Sequence, residues 1–277
     1  TQGAREFLYE KLKENYGKYG IRIFWLDEAE PEYQQFDYDI YRYQAGSARE
    51  IGGIYPLCYS QAIYDGMKKD GIEDPMNLTR SAWAGSQKFG TLLWSGDIYS
   101  SFRSFRMQIR AGLNAGMAGI AWWTSDIGGF WGGDPESEEF RELLVRWFQF
   151  GVFSPICRLH GHRRPSGTLP EVVDSGMFDF NTCGPNEVWS YGEKNYGILK
   201  ELLMVRERMR PYVEETAAEA SETGLPMLRT LFFNYPEDEN CWETEDEIML
   251  GRDLLAAPVT YPGMTSREVY LPKGDRW

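Results

Sequence analysis

Six polar residues fall where apolar runs of the chain finish. They are Asp27 after "IRIFWL", Arg80 after "MNLT", Asp97 after "TLLWSG", Asp126 after "IAWWTS", and Arg158 with His160 after "GVFSPIC". If the runs are parallel strands, their carboxyl ends bring these side chains to one face, where α/β barrels build active sites. Any single acid after a strand could equally be the N-cap of the next helix. Capping accounts less well for five successive strand ends of this kind, and "SGD", "SDIGG" and "LDEAEP" add the Gly or Pro that lets backbone approach a ligand. Two carboxylates facing each other across a sugar suffice for glycoside hydrolysis, one ionised to act on the anomeric carbon and one protonated to serve the leaving oxygen. Burial or a neighbouring negative charge keeps the second one protonated near neutral pH. Neither His nor Cys is needed, which suits a chain with two His. Asp27 and Asp97 are the best pair by position, although spacing alone does not single them out.

The elements that must hold these residues alternate between strand-like runs and helical periodicity, the pattern of βα units on a parallel sheet. A helix is expected over 5–18, ending near Gly20, before "IRIFWLDE", read as a buried strand. An irregular aromatic loop follows, then a helix over 56–70 stopped by Gly71, and strands in "MNLTRSAWA" and "GTLLWSGD". Ser100 is placed to cap the helix "SFRSFRMQIRAGLNAG", whose Phe, Met, Ile and Leu recur at helical spacing. "AGIAWWTSDIGGF" reads as a fourth strand, 138–150 as a helix and "GVFSPICRLHG" as a fifth strand. The long helix "NYGILKELLMVRERMRPYVEETAAEASETG" is expected to break at Pro211, and from Pro226 the pattern turns to short strands.

Composition narrows the ligand. The net charge is −13 with no Lys/Arg-rich block, so nucleic acid is not an expected partner. No apolar run approaches the roughly 18 residues of a membrane span, so no membrane partner is expected either. "TQGAREFLYEKLKENYGKYG" reads as an amphipathic helix and not a signal peptide, and the missing initiator Met suggests an excised or processed chain. Cys58, Cys157, Cys183 and Cys241 lack CxxC spacing, so neither a zinc site nor a disulfide framework is expected. They leave the compartment open, with the cytoplasm slightly favoured. Both histidines lie in "RLHGHRRP", which excludes a His-rich metal site, and no cofactor is expected. Aromatics make up 15% of the chain, with ten Trp and seventeen Tyr. Core filling accounts for many, but flat rings also stack on the apolar faces of sugars, which makes carbohydrate a candidate ligand.

At the level of motifs, "FWLDEAEPE" resembles the nucleophile motif W-x-D-M-N-E-P of glycoside hydrolase family 31. "LLWSGD" resembles its acid/base motif, preceded by the Arg of "RSAWAGSQKFG". "GLNAGMAGIAWWTSDIGGF" and "RWFQFGVFSPICRLHG" are similar to two further family segments, and "EIMLGRDLLAAPV" and "REVYLPKGDRW" to the start of the β-domain after the barrel. The resemblance implies an α/β fold: a partial (β/α)8 TIM barrel, strands four to eight with their helices, over 1–225, and the start of a β-sandwich domain over 226–277. It implies Asp27 as nucleophile and Asp97 as acid/base of a retaining double displacement on an α-linked glucosyl or xylosyl residue. Arg80, Asp126 and His160 match positions that hydrogen-bond the sugar, and Trp25, Trp94 and Phe130 match its apolar walls. Arg158 would steady the site through charge-assisted bonds, with Glu30 as a supporting acid. Core packing for the aromatics and a structural ion pair for Arg158 stay open as alternatives.

Two departures qualify the resemblance. Glu28 and Ala29 replace the usual Met-Asn, adding a carboxylate beside the nucleophile and leaving α-glucosidase and α-xylosidase level. The family's N-terminal β-sandwich and first three barrel strands have no counterpart before Arg5, so the isolated chain is expected to be inactive or nearly so. The rival readings are a non-catalytic carbohydrate-binding or scaffold module, or an α-transglycosidase or α-glucan lyase using the same two aspartates. The expected partner is an α-linked oligosaccharide or α-glycoside, and the oligomeric state is left open.

Overall fold

The computed structural model describes residues 1–31, 37–164 and 184–277. The chain divides into two compact units, Thr1–Trp94 with Ala118–Ile120, and Ser95–Met117 with Ala121–Trp277.

In the first unit, helix α1 (Gln2–Asn15) starts where Thr1 Oγ1 accepts the Ala4 amide at 3.2 Å. A 3-10 turn and Gly20, at φ 86°, close it. Strand β1 (Trp25–Leu26) precedes helix α2 (Asp37–Ile40), the antiparallel pair β2 (Arg42–Tyr43) and β3 (Gly46–Ser47), and helix α3 (Ala48–Ile51). Helix α4 (Tyr55–Lys69) then leads to β4 (Asn77–Thr79) and β5 (Thr91–Trp94). β1, β4 and β5 run parallel, in register Leu26 to Thr79 and Thr79 to Leu93, so α4 is the crossover of a βαβ unit. Tyr9, Leu26, Ile63 and Met67 form the buried cluster where α1 and α4 cover β1. A Cβ on Gly66 would lie 2.1 Å from the Tyr9 ring, so only glycine lets α1 approach α4 this closely.

The strand before Asp27 differs from its reading as a fully buried run. Leu26 is buried, but Ile21, Ile23 and Trp25 are exposed. Successive side chains of a strand point to opposite faces. Among the described residues of this unit β1 pairs only with β4, and α1 and α4 cover the Leu26 side alone.

The second unit opens with helix α5 (Phe102–Met117). Its cap is Ser101, whose Oγ accepts the Ser104 amide at 3.1 Å, and not Ser100 as the sequence suggests. Strand β6 (Trp123–Thr124), helix α6 (Glu138–Val152), helix α7 (Glu193–Arg208) and helix α8 (Arg210–Thr223) follow. α7 and α8 part at Met209, with Pro211 in the first turn of α8, where its missing N–H costs nothing. The segment "GVFSPICRLHG", expected as a strand, forms no ladder. Its first two residues end α6, and the carbonyls of Val152, Ser154 and Pro155 are taken instead by the Arg206 guanidinium at 2.6–2.7 Å. Strand β7 (Leu228–Arg229), helices α9 (Leu231–Asn234) and α10 (Asn240–Glu243), and strands β8 (Ile248–Leu250) and β9 (Leu254–Ala256) complete the unit. The order β7-β8-β9 is antiparallel throughout. "REVYLP" lies in no strand; Arg267 instead holds Asp246 and Glu247. The core below β6 is aromatic: Phe105 stacks on Trp147 at 5.1 Å, and Trp147 Nε1 donates to Ser125 Oγ at 3.0 Å.

Candidate active site

The predicted site residues fall into two sets, one in each unit. In the first, the parallel register that pairs Leu26 with Thr79 carries one step further to Asp27 and Arg80, at the ends of adjacent strands. Arg80 Nε lies 2.7 Å from Glu30 Oε1 and 3.4 Å from Asp27 Oδ1, and Nη2 donates to Glu30 Oε2 at 3.2 Å. The guanidinium thus grips Glu30 with two nitrogens, the strong geometry for an Arg–carboxylate pair, and touches Asp27 with one.

A hydrogen bond reaches the same oxygen of Asp27. Glu28 has φ 51°, in the left-handed region that side chains other than glycine rarely enter, and its amide turns back to donate to Asp27 Oδ1 at 2.9 Å. Such a conformation costs on the order of 1 kcal/mol and persists where the surroundings enforce it. Both described contacts of Asp27 therefore fall on Oδ1. The carboxylate is 46% exposed, and neither of these contacts involves Oδ2. Trp25 stands edge-on to Trp94 at 5.6 Å and 87°; Trp94 is buried while Trp25 is half exposed.

The second set is buried where the first is open. Asp126 is fully buried and ion-pairs with Arg158 through Oδ1. Burial pushes its carboxyl up to about 6; Arg158 works against that shift, and the nearby Asp97 adds to it. Asp126 Oδ2 is buried with no described hydrogen-bond partner. Asp97 is exposed, directly after Gly96 at φ 80°. Phe130 stacks on His160 at 5.5 Å, an interplanar angle of 28°, so the aromatic and the imidazole of the predicted set form one layer.

One residue central to this set carries no signal in sequence. Arg163 follows two histidines in a basic run that reads as solvated, yet it is fully buried. Its guanidinium donates to the Gly129 and Ile127 carbonyls at 2.9 and 3.3 Å and to the Tyr191 hydroxyl at 3.1 Å, over the Phe140 ring at 4.8 Å. It thereby braces the Gly-Gly turn between Asp126 and Phe130. Cys183 and Glu32 lie outside the described residues. Among those described, no three His, Cys, Asp or Glu side chains gather as a metal site, and no helix is long and apolar enough to cross a membrane.

Parallel strands joined by a crossover helix, with Asp and Arg directly after their carboxyl ends, are the architecture of part of an α/β barrel. The chain belongs to glycosyl hydrolase family 31. The model of that family's TIM-barrel domain matches residues 1–216, and that of its C-terminal domain matches 224–277. The crystal structure of a family 31 alpha-xylosidase from a soil metagenome, complexed with xylose, superimposes with a TM-score of 0.91 at 52% identity over 98% of this chain and 40% of that one. The alpha-xylosidase of Saccharolobus solfataricus is 32% identical over 99% of this chain and 35% of its own length. Alpha-glucosidase 2 of Bacillus thermoamyloliquefaciens is 34% identical over 94% of this chain and 31% of its own. The chain thus spans about a third of these two curated relatives.

Proposed function

We propose that this chain carries catalytic residues of a retaining α-glycoside hydrolase whose substrate is a terminal α-xylosyl residue. The observation that carries the reading is the setting of Asp27: a carboxylate nearly half exposed, with both of its described contacts, one hydrogen bond and one ion pair, on Oδ1. In the first step Oδ2 forms the bond to the anomeric carbon as the bond to the leaving oxygen breaks. Asp97 supplies the proton that the leaving oxygen takes up. In the second step Asp97 removes a proton from water, the water oxygen bonds to the anomeric carbon, and the Asp27 ester breaks with the α configuration restored.

Arg80 draws electron density to Oδ1 and steadies Asp27 through its grip on Glu30. The unpartnered Oδ2 of Asp126 is an acceptor suited to a sugar hydroxyl, which would satisfy a buried oxygen that is otherwise costly. Arg158 opposes the burial that favours the neutral form of that carboxyl, while His160 on Phe130 adds a polar edge to an apolar wall. The 52% identical neighbour that holds xylose supports xylose over glucose. The relative named alpha-glucosidase 2 keeps an α-glucosyl residue as the second reading. Within the same proposal, the catalytic domain ends at 225 and a β-domain begins at 226. The end of α8 at Gly224, in the left-handed region, and the antiparallel strands beyond it support that boundary.

The test is covalent trapping in the protein at its native length. A 5-fluoro-α-xylosyl fluoride should leave a glycosyl adduct on the peptide containing Asp27, and Asp27→Ala should abolish it. An adduct on any other residue, or faster labelling by the glucosyl analogue, would overturn the assignment or the sugar.

A further inference from the structure

Two large aromatic side chains stand exposed beside the candidate acid/base and are unused by the mechanism above. Tyr99 is 72% exposed and Trp131 41%. They belong to different loops of the second unit, and the backbone fastens those loops together. The amides of Phe130 and Trp131 both donate to the Ile98 carbonyl, at 2.7 and 3.0 Å, and the Ser100 amide donates to the Trp131 carbonyl at 2.7 Å. Tyr99 and Trp131 are thereby paired as in a parallel ladder, with their side chains on one face. Gly129 makes this possible: a Cβ there would lie 2.6 Å from the Ser100 Cα. Trp131 is held from behind by Phe130, edge-on at 4.7 Å, and by His162 at 4.9 Å.

We propose that Tyr99 and Trp131 form a platform for the leaving-group sugar, stacking on the apolar face of the pyranose next to the scissile bond. Three observations commit the patch to that occupant. Asp97, which the functional reading makes the proton donor to the leaving oxygen, is two residues before Tyr99, an extended reach of about 7 Å, on the scale of one sugar ring. The platform continues directly from Phe130 and His160, so it adjoins the candidate site and is not an isolated apolar spot. Its backbone is pinned by three hydrogen bonds and its indole by two rings, and rigid aromatics lose little entropy when a ring docks on them.

This inference rests on the α-glycosidase reading, and its test separates the two. In the native-length protein carrying Asp27→Asn to prevent turnover, calorimetry measures binding of free xylose and of an α-1,6-linked xylosylglucose. The disaccharide should bind more tightly than xylose. Trp131→Ala and Tyr99→Ala should each cut that ratio about threefold to tenfold, the range expected for losing one ring contact. Trp131→Phe should restore most of it. Tyr99 is mostly solvated, so its truncation leaves the fold intact and covers the case in which Trp131→Ala disturbs the loop. An unchanged ratio in both alanine variants overturns the platform alone. Failure of the parent protein to bind either sugar overturns the glycosidase reading and the platform with it.

Discussion

Asp27 in the first unit and Asp126 in the second each lie within two residues of the end of a two-residue strand, and each meets an arginine. Their surroundings are opposite. Asp27 is half exposed, contacted on one oxygen, and held by a local kink at Glu28 that its own chain provides. Asp126 is fully buried, and its supports are distant in sequence: Arg158 on the carboxylate and Arg163 on the turn that follows. On the proposed reading the contrast separates two tasks. A group that must form a bond needs an open oxygen and a fixed rotamer, whereas a group that must recognise a hydroxyl gains from a dry setting where one hydrogen bond counts for more.

Replacing the arginine that braces each set should widen the contrast most. Arg163→Met strips the donor from the buried Ile127 and Gly129 carbonyls, at about 1–3 kcal/mol each. A loss of about 3–5 kcal/mol in urea unfolding is expected. Arg80→Met, whose partners are a third to nearly a half exposed, should lose about 1 kcal/mol or less. Equal losses would erase the distinction between the sets.

A pH titration sharpens the same comparison. Asp126 is raised from 3.8 to about 6, so the folded state holds its proton more tightly than the unfolded chain. Its contribution to stability is complete below about pH 4 and is lost as pH rises through about 6, a fall of about 3 kcal/mol. Asp126→Asn should remove that fall, so the gap between wild type and variant must change between pH 4 and 6. A constant gap would show that the carboxyl is not buried in this way.

The smallest effect concerns Glu28. Glu28→Gly should raise stability by about 1 kcal/mol, because glycine enters the left-handed region freely, while Glu28→Ala should not. Both keep the amide on Asp27. Thermal unfolding of the two variants decides it, and equal midpoints would mean that φ 51° carries no strain.

Much of this was legible along the chain. The helices 55–69 and 102–117 lie where apolar spacing and glycine stops put them, whereas the first runs over 2–15 and not 5–18, because a 3-10 turn at 17–19 takes up the stretch before Gly20. The run "GVFSPICRLHG" misled because β-branched and aromatic residues suit any buried extended path, and Arg206, some fifty residues away, decided that its carbonyls meet a guanidinium and not a strand. Ser100 and Ser101 are equivalent as caps in sequence. Ser101 caps because Ser100 is drawn under Gly129 by a loop beyond α5.

By itself the sequence determined the periodicity of the helices, the left-handed turns reserved by glycine, and the motif order that identifies family 31, because these depend on neighbours within a few residues or on recognisable residue types. Only the tertiary structure decided which face of β1 is covered, which oxygen of Asp27 is occupied, that Asp126 is buried, that Arg163 is interior, and that Tyr99 stands beside Trp131. Each depends on groups brought together from distant parts of the chain, and burial and charge balance belong to those meetings, which no local pattern of residues records.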